Sequence, residues 1–196
     1  MTRIPLYPMA DMSPAQQAVY EAVVKGPRGV LRGPLRAALH RAELADKWQQ
    51  LGELLRFRTS LPARLSELAI LVTARHWDSQ FEWHAHEPTA AAAGLARPLI
   101  EAIRRARVPQ FAAEDEAAVY HYVVELLERH VSSEAHYQRA LRLLEPVGLV
   151  ELTALIGYYS MVALTLNAHE IPLPAGTPDP LPPRAPIPLD RQRDPS

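Results

Sequence analysis

Between residues 34 and 168 the apolar side chains recur three and four positions apart and nowhere alternate over a useful length, so this chain can build helices and has little to build a sheet from. In 43–58, Leu44, Trp48, Leu51 and Leu55 step by four, three and four and line one helical face. The next helix is marked at Ser60-Leu61-Pro62, from which Leu65, Leu68, Ala69 and Val72 continue a stripe. A break is expected near Asp78, and Pro88 disfavours helical backbone in the residue before it. Segments 117–131, 134–144 and 150–168 complete the set. Upstream, 14–24 reads as a helix with Ser13 as N-cap and Pro14 in the first helical position, closed by the breaker run Gly26-Pro27-Arg28-Gly29. The predicted fold is all-α.

One internal repeat bears on how those helices pack. Pro62-Ala-Arg-Leu65-Ser-Glu67-Leu68-Ala-Ile-Leu71-Val72 aligns at an offset of 84 with Pro146-Val-Gly-Leu149-Val-Glu151-Leu152-Thr-Ala-Leu155-Ile156, with the proline and the glutamate in register. Leucine-rich helices also match by chance. Read as a duplication, the match predicts two related helical halves about a pseudo-twofold axis. The expected organisation is an N-terminal arm with one helix (1–33), a helical domain (34–170) and a C-terminal tail (171–196). Nine of the 19 prolines fall between 172 and 195, so the tail is expected to be extended and to lie along the body or on a neighbouring subunit.

Composition narrows the chemistry. With 21 basic and 22 acidic residues and scattered positive charge, nothing favours nucleic acid or an anionic membrane as partner. The longest uncharged run, 152–168, has 17 residues, short of the roughly 20 a membrane span needs, and reads as a buried core helix. The first ten residues lack the apolar run of a signal peptide, and a cytoplasmic location is expected. There is no cysteine, which removes disulfides, zinc-thiolate sites and thiol catalysis together.

Polar and aromatic side chains are densest at Arg75-His76-Trp77-Asp78-Ser79-Gln80-Phe81-Glu82-Trp83-His84-Ala85-His86-Glu87. On a helix Ser79, Glu82 and His86 share one face, and His84 points elsewhere. A carboxylate beside an imidazole raises its pKa and orients its tautomer, which suits a general acid/base. Glu67, from the preceding helix, is placed to add a second carboxylate. The same residues are open to plainer readings. A Glu and a His four apart also occur as a solvated pair contributing about 0.2–0.5 kcal/mol. Trp77, Phe81 and Trp83 also fit a core, and Glu67, Glu82 and His86 or His76 could hold a divalent ion, although no HExxH pattern is present.

At these residues the chain resembles the carboxymuconolactone decarboxylase family, which includes the AhpD-like alkylhydroperoxidases. The resemblance rests on Leu61-Pro62-Ala-Arg64-Leu65-Ser-Glu67-Leu68, on Glu82-Trp83-His84-Ala-His86, and on Gly148-Leu-Val-Glu151-Leu through Gly157-Tyr158-Tyr159 to Leu166-Asn167. In the peroxidase branch a glutamate precedes a Cys-x-x-Cys pair and a histidine. Counted from Glu67, the cysteine positions fall on Ser79 and Glu82 and the histidine on His86. Neither Ser79 nor Glu82 can act as a thiolate, so thiol peroxidase chemistry is excluded.

What the resemblance implies is an AhpD-like helical bundle of the cysteine-free decarboxylase branch. Such an enzyme would act on a carboxymuconolactone or similar cyclic acid with no metal and no organic cofactor, and would assemble as a homo-oligomer, trimer or hexamer. His86 is the expected acid/base, with Glu82 and Glu67 as orienting carboxylates. Ser79, Trp83 and Arg75 are the expected substrate contacts, Arg75 and Arg64 being the cations of that stretch. The rival readings are a lyase or isomerase on another enolisable acid, and a non-enzymatic helical binding module.

Overall fold

The computed structural model describes residues 2–183, and among these every regular element is helical. A short 3₁₀ turn at Met9–Asp11 precedes eight α-helices: α1 Pro14–Lys25, α2 Pro34–Ala38, α3 Ala42–Phe57, α4 Ala63–His76, α5 Gln80–Ala92, α6 Arg97–Arg104, α7 Glu114–Arg129 and α8 Glu134–Ala168. The α1 boundary follows from local chemistry. The Ser13 side chain accepts from the Gln16 N–H while the Gln16 side chain accepts from the Ser13 N–H, and Pro14 occupies a position whose N–H would have no helical partner.

The centre of the molecule is α4, whose residues 65–75 are all buried. It packs against α5, α7 and α8, and its Leu68, Leu71 and Ala74 have essentially no exposed surface. The break after α4 lies where expected: Trp77 caps the helix and Asp78 takes a positive φ of 50°. Pro88 does not end α5. The helix runs through it to Ala92, with the proline on the exposed side where its missing N–H is tolerated.

The expected pair 134–144 and 150–168 is present as two helical segments of α8, interrupted at Glu145, whose φ of 58° and ψ of 173° are not helical and which precedes Pro146. The two segments matched at an offset of 84 are therefore both helical and both begin at a proline, as α4 and the second half of α8. Their glutamates do different work. Glu151 accepts from the Thr59 and Ser60 hydroxyls and the Ser60 N–H, each at 2.7 Å, and so ties α8 to the start of α4. α8 is long and apolar enough by length and composition to cross a membrane, but half of its most apolar window is buried inside the fold. The run 152–168 buries Leu152, Leu155, Ile156, Tyr159, Val162 and Leu166 on one side and forms a wall of the core.

The tail, as far as residue 183, lies along the body. Gln80 exchanges two hydrogen bonds with the Leu181 backbone, Arg75 donates to the Pro182 carbonyl and Arg104 to that of Pro180. Leu181 is buried beneath them. The expectation for residues 184–196 falls outside the described residues.

Candidate functional site

Four elements converge on a cavity of about 260 Å³. α5 brings Phe81, Glu82 and His86, the second half of α8 brings Tyr158, Tyr159, Val162 and Leu166, the end of α3 brings Arg56, and the segment between α1 and α2 brings Arg28 and Arg32. A space of this size suits a single small ring with its substituents and is too small for a drug-sized ligand.

His86 is buried, and its Nδ1 donates to Glu67 Oε2 at 2.8 Å. That bond fixes Nδ1 as the proton-bearing nitrogen and leaves Nε2 to take or give a proton. The Tyr159 ring stands perpendicular to the imidazole at 5.0 Å. Burial lowers the His86 pKa, outweighing the opposing effect of Glu67, and the charges of Arg56 and Arg28 lower it further. The imidazole is thus held neutral. The expectation that a carboxylate would raise its pKa is reversed, because removal from water outweighs one hydrogen bond.

Glu82 does not partner His86. Both of its carboxyl oxygens are buried without a hydrogen bond, and the residue is 1% exposed. Burial alone pushes its pKa well above the usual carboxylate range, which favours the protonated acid. The spacing of four on α5 puts Glu82 and His86 on one face, as expected, but Glu67 from α4 holds the imidazole. The cavity is therefore lined by a carboxyl and an imidazole that burial shifts toward their neutral forms, with different supports. Glu67 also lines a second cavity of about 220 Å³ with Arg56, Thr59 and Ser66, so the Glu67–His86 pair spans the space between the two.

The three expected substrate contacts lie elsewhere. Trp83, one residue on from Glu82 and so about 100° round the helix, is fully buried and does not line the cavity. Its indole N–H donates to Glu87 at 2.9 Å, and the Arg104 guanidinium sits over its ring at 5.3 Å. Arg75 lies two turns and roughly 80° beyond Glu67; it pairs with Asp78 at 2.7 Å and the Pro182 carbonyl, which commits it to the tail. Ser79 takes the N-cap position of α5 with its hydroxyl buried and unpartnered, and it does not line the cavity. Arg64 is occupied by Asp115 and Glu116. Among the described residues no three acidic, histidine or cysteine side chains gather as a metal site.

Arg28, Arg32, Arg56, Tyr158 and Tyr159 line the cavity without having been singled out from sequence as site residues. Arg28 donates to the Tyr158 hydroxyl at 3.1 Å across 130 positions of chain. Gly52 makes that contact possible: a Cβ there would overlap both the guanidinium and the phenol oxygen. Gly33, at a φ of 60°, similarly leaves room for the Phe81 ring.

No protein-family model matches the chain, and no curated protein matches it. Among solved structures the fold is similar to that of the debrominase Bmp8 without ligand, with a TM-score of 0.71 at 15% identity, over 89% of this chain and 94% of that one. A Cys-to-Ala variant of the same debrominase in complex with 2,3,4-tribromopyrrole gives 0.71 at 14% identity, over 89% and 95%. At such identity the likeness is one of fold.

Proposed function

We propose that this chain is a cofactor-free acid/base enzyme of the carboxymuconolactone decarboxylase kind, releasing CO₂ from a small cyclic acid or lactone. The carrying observation is Glu82, a buried carboxyl with no hydrogen-bond partner, lining one cavity with a histidine that Glu67 orients. A group that pays for burial without forming a bond is suited to one that a substrate will meet.

In this reaction the bond from the ring to a substrate carboxylate breaks and CO₂ leaves. The electron pair passes into the ring and onto the conjugated carbonyl as a dienolate, and a carbon of that dienolate then takes a proton. Glu82, kept protonated by its surroundings, is the donor. The neutral Nε2 of His86 returns a proton from solvent to Glu82, and the Glu67 carboxylate stabilises the imidazolium that forms in passing. The apolar wall of Phe81, Val162 and Leu166 favours loss of a charged carboxylate as neutral CO₂.

The test is a screen of lactones and ring-cleavage acids for CO₂ release and for exchange of carbon-bound hydrogen with solvent deuterium. Release that disappears in Glu82→Gln supports the reading. Exchange without release points to an isomerase on an enolisable acid, and binding without either to an inert module. The fold likeness adds 2,3,4-tribromopyrrole to the screen. A thiol route to its debromination is closed here, because the chain has no cysteine.

We also propose that the chain self-associates, as a trimer or hexamer if the family resemblance holds. Along the outer side of α8, Val147, Val150, Ala154, Gly157, Met161 and Leu164 follow one another at intervals of three and four, the spacing of a helix-packing seam. Val147 and Val150 are 64% and 69% exposed, and a side chain added at Gly157 would meet open space. Such a stripe is suited to a second copy of the same helix.

A further inference from the structure

The three arginines of the cavity have no acidic partner. Among the described residues none of Arg28, Arg32 and Arg56 forms an ion pair, as Arg36, Arg97, Arg107 and Arg142 also do not; Arg28 and Arg56 are half-buried at the cavity and Arg32 is exposed. Glu82 does not serve them, since its oxygens accept nothing. Arg28 is held in place by the Tyr158 hydroxyl and by the space at Gly52, yet its Nε is buried without a partner. Glu67, bonded to His86, does not line the cavity, so Glu82 is the one carboxyl among the cavity's lining residues. A guanidinium holds a flat oxyanion through two parallel N–H bonds, and it does so best where water is partly excluded.

We infer that Arg28, Arg32 and Arg56 form an anion-recognition wall, supplied largely by the segment before α2, that selects a small ring compound bearing two anionic groups. The arginines come from α3 and the segment before α2, and α5 and α8 add the apolar side chains of Phe81, Val162 and Leu166 to the same lining. A ring packed against those apolar side chains presents its acidic substituents to the arginines. In a decarboxylation one carboxylate would be retained on this wall while the other is lost. The inference rests on reading the cavity as the substrate site, and it adds which charges the substrate carries and which residues count them.

Binding of non-reacting probes tests this without turnover. Calorimetric titration of the full chain with isophthalate, benzoate and inorganic phosphate should give isophthalate an affinity at least about tenfold above benzoate, a difference that shrinks as salt is raised. Arg28→Gln and Arg56→Gln should each weaken isophthalate by about tenfold or more, Arg28→Lys should weaken it less than Arg28→Gln, and Arg139→Gln, on the surface at Glu114, should leave it unchanged. Equal affinity for isophthalate and benzoate, or indifference to both arginine variants, overturns the inference. Phosphate binding as tightly as isophthalate also overturns it, because the apolar face would then contribute nothing. If isophthalate binds through the arginines and no acid releases CO₂, the anion wall stands and the decarboxylase reading alone fails. If a monoacid is decarboxylated equally well by the arginine variants, the wall alone fails.

Discussion

Replacing Glu82 by glutamine should make this protein more stable at neutral pH and less active, with a pH signature belonging to this one carboxyl. The glutamine keeps the shape and cannot ionise. In the unfolded chain the carboxyl titrates near 4.5; in the fold its pKa is raised well above that, and burial is the whole cause. A raised folded pKa means that stability is undiminished below pH 4.5 and is lost as pH rises toward the folded value, because the unfolded chain gives up a proton that the folded one retains. The loss runs at about 1.4 kcal/mol per pH unit. Glutamine at this position removes that slope.

Urea denaturation at pH 5, 6 and 7, at one protein concentration, measures it. The gap in unfolding free energy between Glu82→Gln and the parent should widen by about 1.4 kcal/mol per unit until the parent carboxyl itself titrates, up to about 3 kcal/mol across the range. For a chain of this size each kcal/mol moves Tm by about 2–4 °C. An offset between the amide and the acid shifts both ends of the comparison equally and leaves the slope intact. A gap that stays constant from pH 5 to pH 7 refutes the argument, since Glu82 would then be ionised in the fold. Turnover should fall by about 10²–10⁴-fold in the same variant, the usual worth of a general acid.

His86→Ala should lose turnover on the same scale and also lose about 1–3 kcal/mol of stability, read as a lower Tm, since Glu67 is left buried without its hydrogen bond. His86 should give a pH dependence opposite in sign to that of Glu82. Its folded pKa is lowered from 6.5, so the parent should lose stability relative to His86→Gln as pH falls below 6.5, measurable in the same denaturation series. Gly52→Ala should cost about 1–3 kcal/mol by driving Arg28 and Tyr158 apart, and calorimetry should show weaker isophthalate binding. Val150→Asp should shift the sedimentation profile toward monomer while leaving the helical circular dichroism unchanged, because Val150 is 69% exposed in the single chain.

Much of the site was legible along the chain. Glu67 and His86 come from helices whose starts are marked by Pro62 and by the break at Asp78. The spacing of Glu82 and His86 put them correctly on one face of α5. What spacing could not say is which neighbour each side chain meets. The bond to His86 comes from α4, 19 residues away, and Glu82 is left with no partner. Trp83 and Arg75 stood out as aromatic and cation in a polar cluster, yet their helical angles turn them to α6 and the tail. Arg28 gave no local signal at all. It sits in a Gly-Pro-Arg-Gly run that reads as a helix stop, and its role depends on Tyr158, 130 positions on.

Local sequence was not enough for the short α2 and α6, but it was enough for the longer helices from their apolar spacing, for the start of α1 from Ser13 and Pro14, and for the interruption of α8 before Pro146. Each of these depends on backbone hydrogen bonding and side-chain angle within a few residues, so local order suffices. It also determined, by containing no cysteine, that the chemistry cannot run through a thiol. Folding in three dimensions sets the raised pKa of Glu82, the partner of His86 and the gathering of Arg28, Arg32 and Arg56 around one cavity. Those properties come from exclusion of water and from contacts between distant segments, and neither is a function of neighbouring residues in the chain.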